Sequence, residues 1–180
     1  MKKMIIAIIA TLCQSLSAQE NRVANRLFYS EGGGAGVIMS ANFDSRFKSN
    51  ERLGFGYRLG AGFGFGNIRT EWTDRRHGLN YIEYIKQEYY TFPAGLNYVF
   101  GRAGEANTFE IGAGATFLTH KVSLYNRGDK KPGRVIGFLS FISRVTPIYG
   151  GFSYHLGFTP IIGTGGDIML SGAVGFGYAF

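Results

Sequence analysis

A serine and a histidine stand two residues apart at Ser153 and His155, and this pair could combine a nucleophile with a base. A histidine that takes the proton from a serine hydroxyl performs acyl transfer, provided that the two groups lie within about 2.6–3.2 Å of each other. On a strand, residues two apart share a face but lie roughly 6.5–7 Å apart. The spacing therefore predicts no catalytic pair, and we expect no enzyme.

The sequence has few residues that could bind a metal ion or a cofactor. Cys13 is the only cysteine, and it lies in the apolar segment at the N-terminus. His77 and His120 have no second histidine or carboxylate at metal-ligand spacing. The glycine-rich run 54–66 looks like a phosphate loop, but it precedes no helix, so the nucleotide interpretation fails. We predict no metal site and no cofactor.

The run 53–66 has a period of two, which predicts a strand. Its odd positions are all apolar, and its even positions are all glycine except Arg58. Because successive side chains of a strand point to opposite faces, this segment has one apolar face and one glycine face. The alternation recurs at 37–43, 90–100, 109–117, 135–145, 152–159 and 170–180.

An apolar face opposite a glycine face is typical of a small barrel in lipid. A soluble sandwich would place Lys, Glu, Thr and Ser on its wet face, whereas glycine weakens a strand without solubilising it. Inside a narrow barrel, glycine saves space and permits curvature, and the apolar face meets lipid. The sequence predicts an all-β protein, a transmembrane antiparallel up-and-down β-barrel.

The first 18 residues predict a cleaved secretory signal peptide, which leaves residues 19–180 as the barrel domain. Lys2 and Lys3 precede an apolar stretch, which is followed by small residues up to Ala18. We expect cleavage after Ala18, with Ser17 as the second candidate. The stretch is far shorter than the ~20 residues of a membrane-spanning helix. Lipidation of Cys13 is a minor alternative, because the residues before it do not match a lipoprotein signal.

Bacterial single-chain barrels have an even number of strands, and seven are clear in the sequence. We predict eight, with the first over 26–31 and a turn at Gly32, Gly33 and Gly34; one long first strand with a glycine bulge is the alternative. Short periplasmic connections are predicted near 44–51, 101–107 and 144–148. Outward connections are predicted at 67–80, 126–133 and 163–167.

The strand segments resemble the small outer-membrane β-barrel family of OmpA and OmpX type, in its uncharacterised "outer membrane protein β-barrel domain" branch. The resemblance implies the outer membrane of a Gram-negative bacterium, but the family has no settled activity. The last strand resembles the C-terminal recognition strand of such barrels. This implies an assembly signal at Phe176, Tyr178 and Phe180 and contact with the barrel-assembly machinery. The matching segments are Tyr29-Ser30-Glu31-Gly32-Gly33, Ser40-Ala41-Asn42-Phe43, Phe92-Pro93-Ala94-Gly95-Leu96-Asn97-Tyr98, Glu110-Ile111-Gly112-Ala113-Gly114-Ala115-Thr116 and Gly157-Phe158-Thr159-Pro160.

Four ionisable residues fall on the inward face of the predicted strands. Charges in a barrel interior must be paired or hydrated, and eight-stranded interiors are normally filled by side chains. We expect a salt-bridged network that fills the interior; a ligand or proton site is the alternative. The four residues are Arg58, Glu110, Arg144 and His155.

The expected partners follow from charge and location. The net charge is +7. In an exported protein this charge favours contact with lipopolysaccharide and outer-membrane lipid over binding of nucleic acid. A basic loop either contacts lipopolysaccharide phosphates or is merely solvated. It contains Lys121, Arg127, Lys130, Lys131 and Arg134.

The segment 67–88 could extend two strands above the membrane as a ribbon that carries Trp72, Tyr81 and Tyr84 and binds a surface or host protein. We therefore expect a non-catalytic structural or surface-interaction barrel. The alternatives are a narrow pore or small-ligand transporter and a lipid-A-modifying enzyme. The residues around Ser153 do not resemble the motif of barrel lipid-A deacylases.

Overall fold

The chain forms a closed barrel of eight antiparallel strands in sequence order. The computed structural model describes residues 22–74, 76–122 and 133–180, without the side chains of 66–74, 82–87 and 122. Among these residues no helix is long and apolar enough to span a membrane. The strands are β1 (Arg26–Gly33), β2 (Met39–Arg46), β3 (Gly54–Asp74), β4 (Leu79–Gly101), β5 (Asn107–Val122), β6 (Gly133–Val145), β7 (Gly151–Ile162) and β8 (Ile168–Ala179).

The first strand exists as a separate strand, so the prediction of eight strands is confirmed and the single long first strand is wrong. β1 pairs with β2 from Arg26↔Ser45 to Gly32↔Met39. It also pairs with β8, which closes the barrel from Leu27↔Ala179 to Gly33↔Ala173. β1 ends at Gly33, and a short 3₁₀ turn, Gly34–Gly36, follows it.

The predicted faces agree with the burial of the strands. Apolar side chains on the outward positions are exposed, including Phe55, Leu156 and Leu170 at 66%, 64% and 70%. Inward positions are buried; on β6, for example, Ser140 is buried whereas the adjacent Leu139 is exposed. The barrel therefore has an apolar exterior and a largely polar interior.

The two ends of the barrel are built differently. At one end, here called the short-turn end, the connections 47–53, 102–106 and 146–150 lie beside residues 22–25 and Phe180. At the other, the hairpin end, lie the β1–β2 turn (34–38), the β3–β4 ribbon and the 163–167 turn. The β1–β2 turn folds into the barrel, where Gly34, Ala35 and Gly36 are buried.

Two details of the predicted connections are wrong. The strand predicted from residue 37 begins at Met39, and Val37 packs against an interior cluster. β2 continues through Asp44 to Arg46, so these residues belong to the wall and not to the 44–51 turn.

The outward connection predicted over 67–80 is mostly strand. β3 and β4 remain paired from Gly64↔Tyr89 up to Asp74↔Leu79, whereas the pairing of β3 with β2 ends at Met39↔Phe63. The paired segments 64–74 and 79–89 therefore form a two-stranded ribbon beyond the β2–β3 wall, as the ribbon hypothesis expected.

Candidate functional site

Polar and ionisable side chains from seven strands meet in the middle of the barrel. The alternation of each strand sends one residue inward at this level, and the stagger of the strands brings distant residues to the same height. All four predicted residues take part. The network consists of Glu31, Asp44, Arg46, Arg58, Asn97, Glu110, Arg144 and His155, all at most 5% exposed.

Glu110 on β5 links two arginines from opposite sides. Its Oε1 accepts a hydrogen bond from Nη2 of Arg58 on β3 at 2.5 Å, and its Oε2 accepts one from Nη2 of Arg144 on β6. Charge-assisted hydrogen bonds of this kind compensate the cost of burying the charges. Three of the four predicted residues are thus joined directly.

A second carboxylate continues the chain towards the short-turn end. Asp44 accepts hydrogen bonds from Arg46 and Asn97, and its Oδ2 lies 3.5 Å from Nη2 of Arg144. Asn97 Oδ1 also accepts from Arg46 Nη2 at 2.8 Å. Arg46 donates through Nη1 to the carbonyl of Gly54 at 2.9 Å, which ties the network to the start of β3.

The fourth predicted residue, His155, pairs with Glu31 on β1. Nε2 of His155 lies 3.0 Å from Oε2 of Glu31, and the same oxygen lies 4.0 Å from Nη1 of Arg58. The ring of Tyr29 packs edge-on against His155 at 4.9 Å and beneath the guanidinium of Arg58 at 5.4 Å. These groups thus form one chain that crosses the interior from His155 to Arg46, in which the carboxylates alternate with His155 and the arginines.

Glu31, Asp44 and Arg46 belong to the network but are not among the site residues that the sequence predicts. The sequence predicts Asp44 and Arg46 in a turn, and Glu31 as the residue before one. Charge balance could have found them, because Arg58, Arg144 and His155 opposite Glu110 alone would leave buried positive charge without partners. In the structure, three arginines face three carboxylates.

Several buried polar atoms in the interior have no hydrogen-bond partner within the described protein. They are Tyr29 Oη, Glu31 Oε1, Asn42 Oδ1, Arg58 Nε and Nη1, Arg144 Nε and Thr159 Oγ1. Donors and acceptors both occur in this set. Such groups are normally satisfied by protein or by ordered water.

The β1–β2 turn is fastened above the charged chain by threonine hydroxyls. Thr91 Oγ1 donates to the carbonyl of Gly36 at 3.0 Å, and Thr116 Oγ1 donates to the carbonyl of Ala35 at 2.8 Å. Ser171 Oγ accepts the amide of Gly34 at 3.2 Å. The turn thereby contacts β4, β5 and β8 in addition to its own strands.

Val37 adopts a strained backbone within this turn. Its φ is 77° and its ψ is −68°, with a hydrogen bond from the amide of Ile38 to the carbonyl of Gly36 at 3.2 Å. This is the rare γ-turn with positive φ, and a β-branched residue there is an outlier that costs on the order of 1–3 kcal/mol. The surrounding contacts must hold Val37 in this conformation.

At the short-turn end, Arg52 reaches into a cluster of backbone carbonyls. Its guanidinium donates to Thr146 O at 2.8 Å and to Glu105 O, and it is 7% exposed. Burial lowers the pKa of Arg52 from its ordinary value, but an arginine starts so high that it stays charged at neutral pH. Residues 22–25 lie alongside, since the amide of Ala24 donates to Ile148 O at 2.8 Å.

The remaining candidates are not assembled into a site. Ser153 Oγ bonds to Thr146 Oγ1 and Val145 O, both at 2.9 Å, whereas His155 Nε2 faces Glu31. Among the described residues, no group of three His, Cys, Asp or Glu side chains is placed to hold a metal ion.

Lys121 and Arg134 are exposed at the hairpin end of β5 and β6. Phe176 and Tyr178 are exposed on β8, and Phe180 follows it.

Some predictions fall outside the described residues. These are the signal peptide 1–18 with its cleavage after Ala18, the loop residues Arg127, Lys130 and Lys131, and the side chains of Trp72 and Tyr84. Neither a protein-family model, nor a curated protein, nor a solved structure matches the chain.

Proposed function

We propose that the chain is an outer-membrane β-barrel with a structural or surface-interaction role and no catalytic step. The inverted distribution of polarity carries this proposal. Phe55 and Leu170 on the outside are 66% and 70% exposed, whereas Arg58 and Glu110 inside are 2% and 1% exposed. A water-soluble barrel would expose its charges, whereas a barrel in lipid exposes apolar side chains.

The two ends support an orientation within that membrane. The short turns, residues 22–25 and Phe180 lie at one end, and the ribbon lies at the other. Outer-membrane barrels have short periplasmic turns and longer external loops. We therefore place the short-turn end in the periplasm and the ribbon outside the cell, after export by the signal peptide.

Fluorescence quenching by brominated lipids tests the membrane proposal. Trp72, the only tryptophan, lies seven residues beyond Phe65 on β3, above the apolar band. In vesicles, its fluorescence should not be quenched by bromine in the acyl chains. The double variant Trp72→Phe, Phe141→Trp carries its indole in the band instead and should be quenched strongly. Equal quenching of both proteins, or of neither, would contradict the membrane placement.

The interior supports a closed barrel instead of a pore. The chain of ion pairs crosses it at mid-height, the β1–β2 turn fills the hairpin end, and Arg52 with residues 22–25 covers the short-turn end. The intact protein should give no stepwise conductance in planar lipid bilayers. Reproducible channels would favour the alternative of a narrow pore or small-ligand transporter.

The ribbon is the part of the barrel best placed to bind a partner. Its strands pair only with each other over most of their length, so their outer edges are available to another chain. Exposed Lys121 and Arg134 at the same end support contact with lipopolysaccharide phosphates. The first observation supports a protein partner at the cell surface, and the second supports anchoring in the outer leaflet.

A comparison of lipid A tests the non-enzyme part of the proposal. Ser153 and His155 face different partners, which supports the absence of a nucleophile–base pair. The variants Ser153→Ala and His155→Ala should leave the lipid A of the native host unchanged by mass spectrometry. Loss of the same deacylated species in both variants would establish a lipid-A-modifying enzyme instead.

A further inference from the structure

A groove of about 570 Å³ lies on the outer face of the barrel, over the short-turn half of β6. Its two walls are rows of exposed apolar side chains, Phe109 and Ile111 on β5 and Leu156 and Phe158 on β7. β6 lies between these walls, since Ser143 pairs with Phe109 on one side and with Leu156 on the other. The groove therefore belongs to the apolar exterior and not to the charged interior.

A small side chain on β6 produces the groove. Ser143 is outward and exposed, and its side chain is shorter than those of its partners Phe109 and Leu156. Two residues earlier on the same face, the ring of Phe141 stacks on that of Phe158 with centroids 5.0 Å apart, which bounds the groove towards the hairpin end. Because neighbouring strands lie about 4.8 Å apart, the two walls stand roughly 10 Å apart at the backbone.

Ser143 also places a single hydroxyl in these apolar surroundings. Among the described residues that line the groove, the only other polar side chain belongs to Glu110, which points inward and is 1% exposed. A hydroxyl that faces lipid is costly unless it finds a hydrogen-bond partner, because no water is available there. Ser143 lies two residues before β6 ends at the short-turn end, so this donor is near the edge of the membrane.

The dimensions of the groove suit a lipid tail. A void between aromatic rings is unfavourable in lipid as well as in water, because the side chains of its walls lose dispersion contacts. Lipid tails are as apolar as leucine and surround the barrel in a membrane. The volume falls within the ~300–1,000 Å³ of ligand pockets. With one strand between its walls, the groove admits a narrow chain and not the side of a second barrel.

We propose that this groove holds one acyl chain of a glycerophospholipid from the periplasmic leaflet, and that the Ser143 hydroxyl donates a hydrogen bond to the ester carbonyl of that chain. The inference rests on the proposed membrane location and adds a defined lipid site to it. The aromatic and aliphatic walls contact the chain along its length, and Phe141 contacts its far part. Such a lipid stays with the barrel longer than the lipids around it.

Native mass spectrometry of the barrel in detergent, titrated with dipalmitoyl phosphatidylethanolamine, counts bound lipids and gives an apparent Kd. The unsubstituted protein should bind one lipid saturably. Ser143→Phe fills the groove with a ring and should raise the Kd at least about tenfold, which corresponds to a loss of about 1.4 kcal/mol.

Ser30→Phe is the matched control, because Ser30 is an exposed serine on the outward face of β1 and lies outside the groove. Its partners in the register are Ala41 and Phe176. This variant should bind the lipid as the unsubstituted protein does. Equal Kd values in all three proteins, or an equal loss in both variants, would overturn the proposal.

A second pair of changes isolates the hydrogen bond. Ser143→Ala leaves the groove open but removes the donor, and the dialkyl ether analogue of the lipid removes the carbonyl acceptor. Each change alone should weaken binding by about two- to tenfold, and both together should weaken it no further. Additive losses would overturn the placement of the ester at Ser143. Because alanine adds no bulk, this pair also decides the matter if Ser143→Phe fails to fold.

Reconstitution into vesicles of phosphatidylethanolamine and phosphatidylglycerol separates this inference from the membrane location. A protein that does not insert would contradict the proposed function as well as the lipid site. A protein that inserts but retains no lipid would contradict the lipid site alone. If light scattering shows that Ser143→Phe converts a dimer into a monomer without loss of lipid, the groove binds a second copy of the chain and the proposal is wrong.

Discussion

The ionic residues of the interior depend on one another, because each carboxylate serves more than one donor. Glu110 accepts from Arg58 and Arg144, and Asp44 pairs with Arg46 and lies near Arg144. Removal of any member leaves a buried charge without its partner. Breaking a buried pair is far more costly than breaking an exposed one.

Arg58→Ala should lower the free energy of unfolding by about 3–5 kcal/mol, since it leaves Glu110 and Glu31 short of a cation in a buried site. Arg102→Ala is the control, because it breaks the exposed pair Arg102–Glu105 (2.9 Å, Arg102 83% exposed) and should cost no more than about 1 kcal/mol. Urea unfolding in detergent, followed by circular dichroism, measures both. Equal losses would show that the interior ion pairs are solvated.

Two glycines of β8, Gly175 and Gly172, differ in the space around them. Substituting each by alanine therefore distinguishes a steric collision from the general effect of replacing glycine. A Cβ at Gly175 would collide with the ring of His155, whereas a Cβ at Gly172 would have nothing within 4 Å. Gly175→Ala should therefore displace His155 from Glu31 and lower the free energy of unfolding by about 1–3 kcal/mol. Gly172→Ala should leave it unchanged or slightly raised. A neutral Gly175→Ala would mean that His155 can move without cost.

At the scale of elements, two hairpins at the same end of the barrel extend in opposite directions. The β1–β2 turn folds inward and is buried, whereas β3 and β4 continue past the wall for many residues. The first hairpin brings small residues, Gly34, Ala35 and Gly36, which fit between packed strands. The second carries charged residues such as Glu71 and Lys86, which are costly to bury.

The ribbon should be removable without loss of the barrel. Because Arg69 pairs with Tyr84, deletion of residues 70–81 leaves Ile82 and Glu83 as a two-residue connection, and replacing these two by Asn-Gly supplies a favourable hairpin turn. The shortened protein should keep its heat-modifiable gel mobility and its membrane insertion, but lose binding to surface partners. Failure to fold would mean that the ribbon supports the wall, and the interaction role would lose its basis.

At the scale of the whole molecule, the first and last strands close the barrel. The final residue takes part through its backbone, since Phe180 N donates to Arg26 O at 2.9 Å and Arg26 N donates to Phe180 O at 3.0 Å. Closure removes the free edges that a strand at the end of a sheet would expose. The end of the chain is therefore part of the wall.

Removal of Phe180 should impair both refolding in detergent and insertion into the outer membrane, because it deletes a closing pair of hydrogen bonds. Phe180→Ala keeps these bonds but removes the aromatic ring. It should refold normally in detergent and yet insert poorly in cells, if the ring serves as the assembly signal. Normal insertion of both variants, measured by fractionation and gel mobility, would contradict the signal and the orientation.

The sequence by itself determined the wall of the barrel and the direction in which its residues face. Alternation is a local property of the pleated strand, so Arg58, Glu110, Arg144 and His155 could be placed inside without knowledge of their partners. The same pattern predicted eight strands, including the short first one. At Asp44 and Arg46 the polar residues that follow Phe43 predict a turn, whereas the strand β2 continues to Arg46.

Only the tertiary structure decided which interior groups meet and what fills the hairpin end. Arg58 and Glu110 are 52 residues apart, and Glu31 and His155 are 124 apart. Their contacts depend on the stagger between strands, which no single strand encodes. The inward fold of the β1–β2 turn likewise depends on the space that all the other strands leave free. A local pattern fixes on which face a side chain lies, whereas closure of the barrel fixes what it touches.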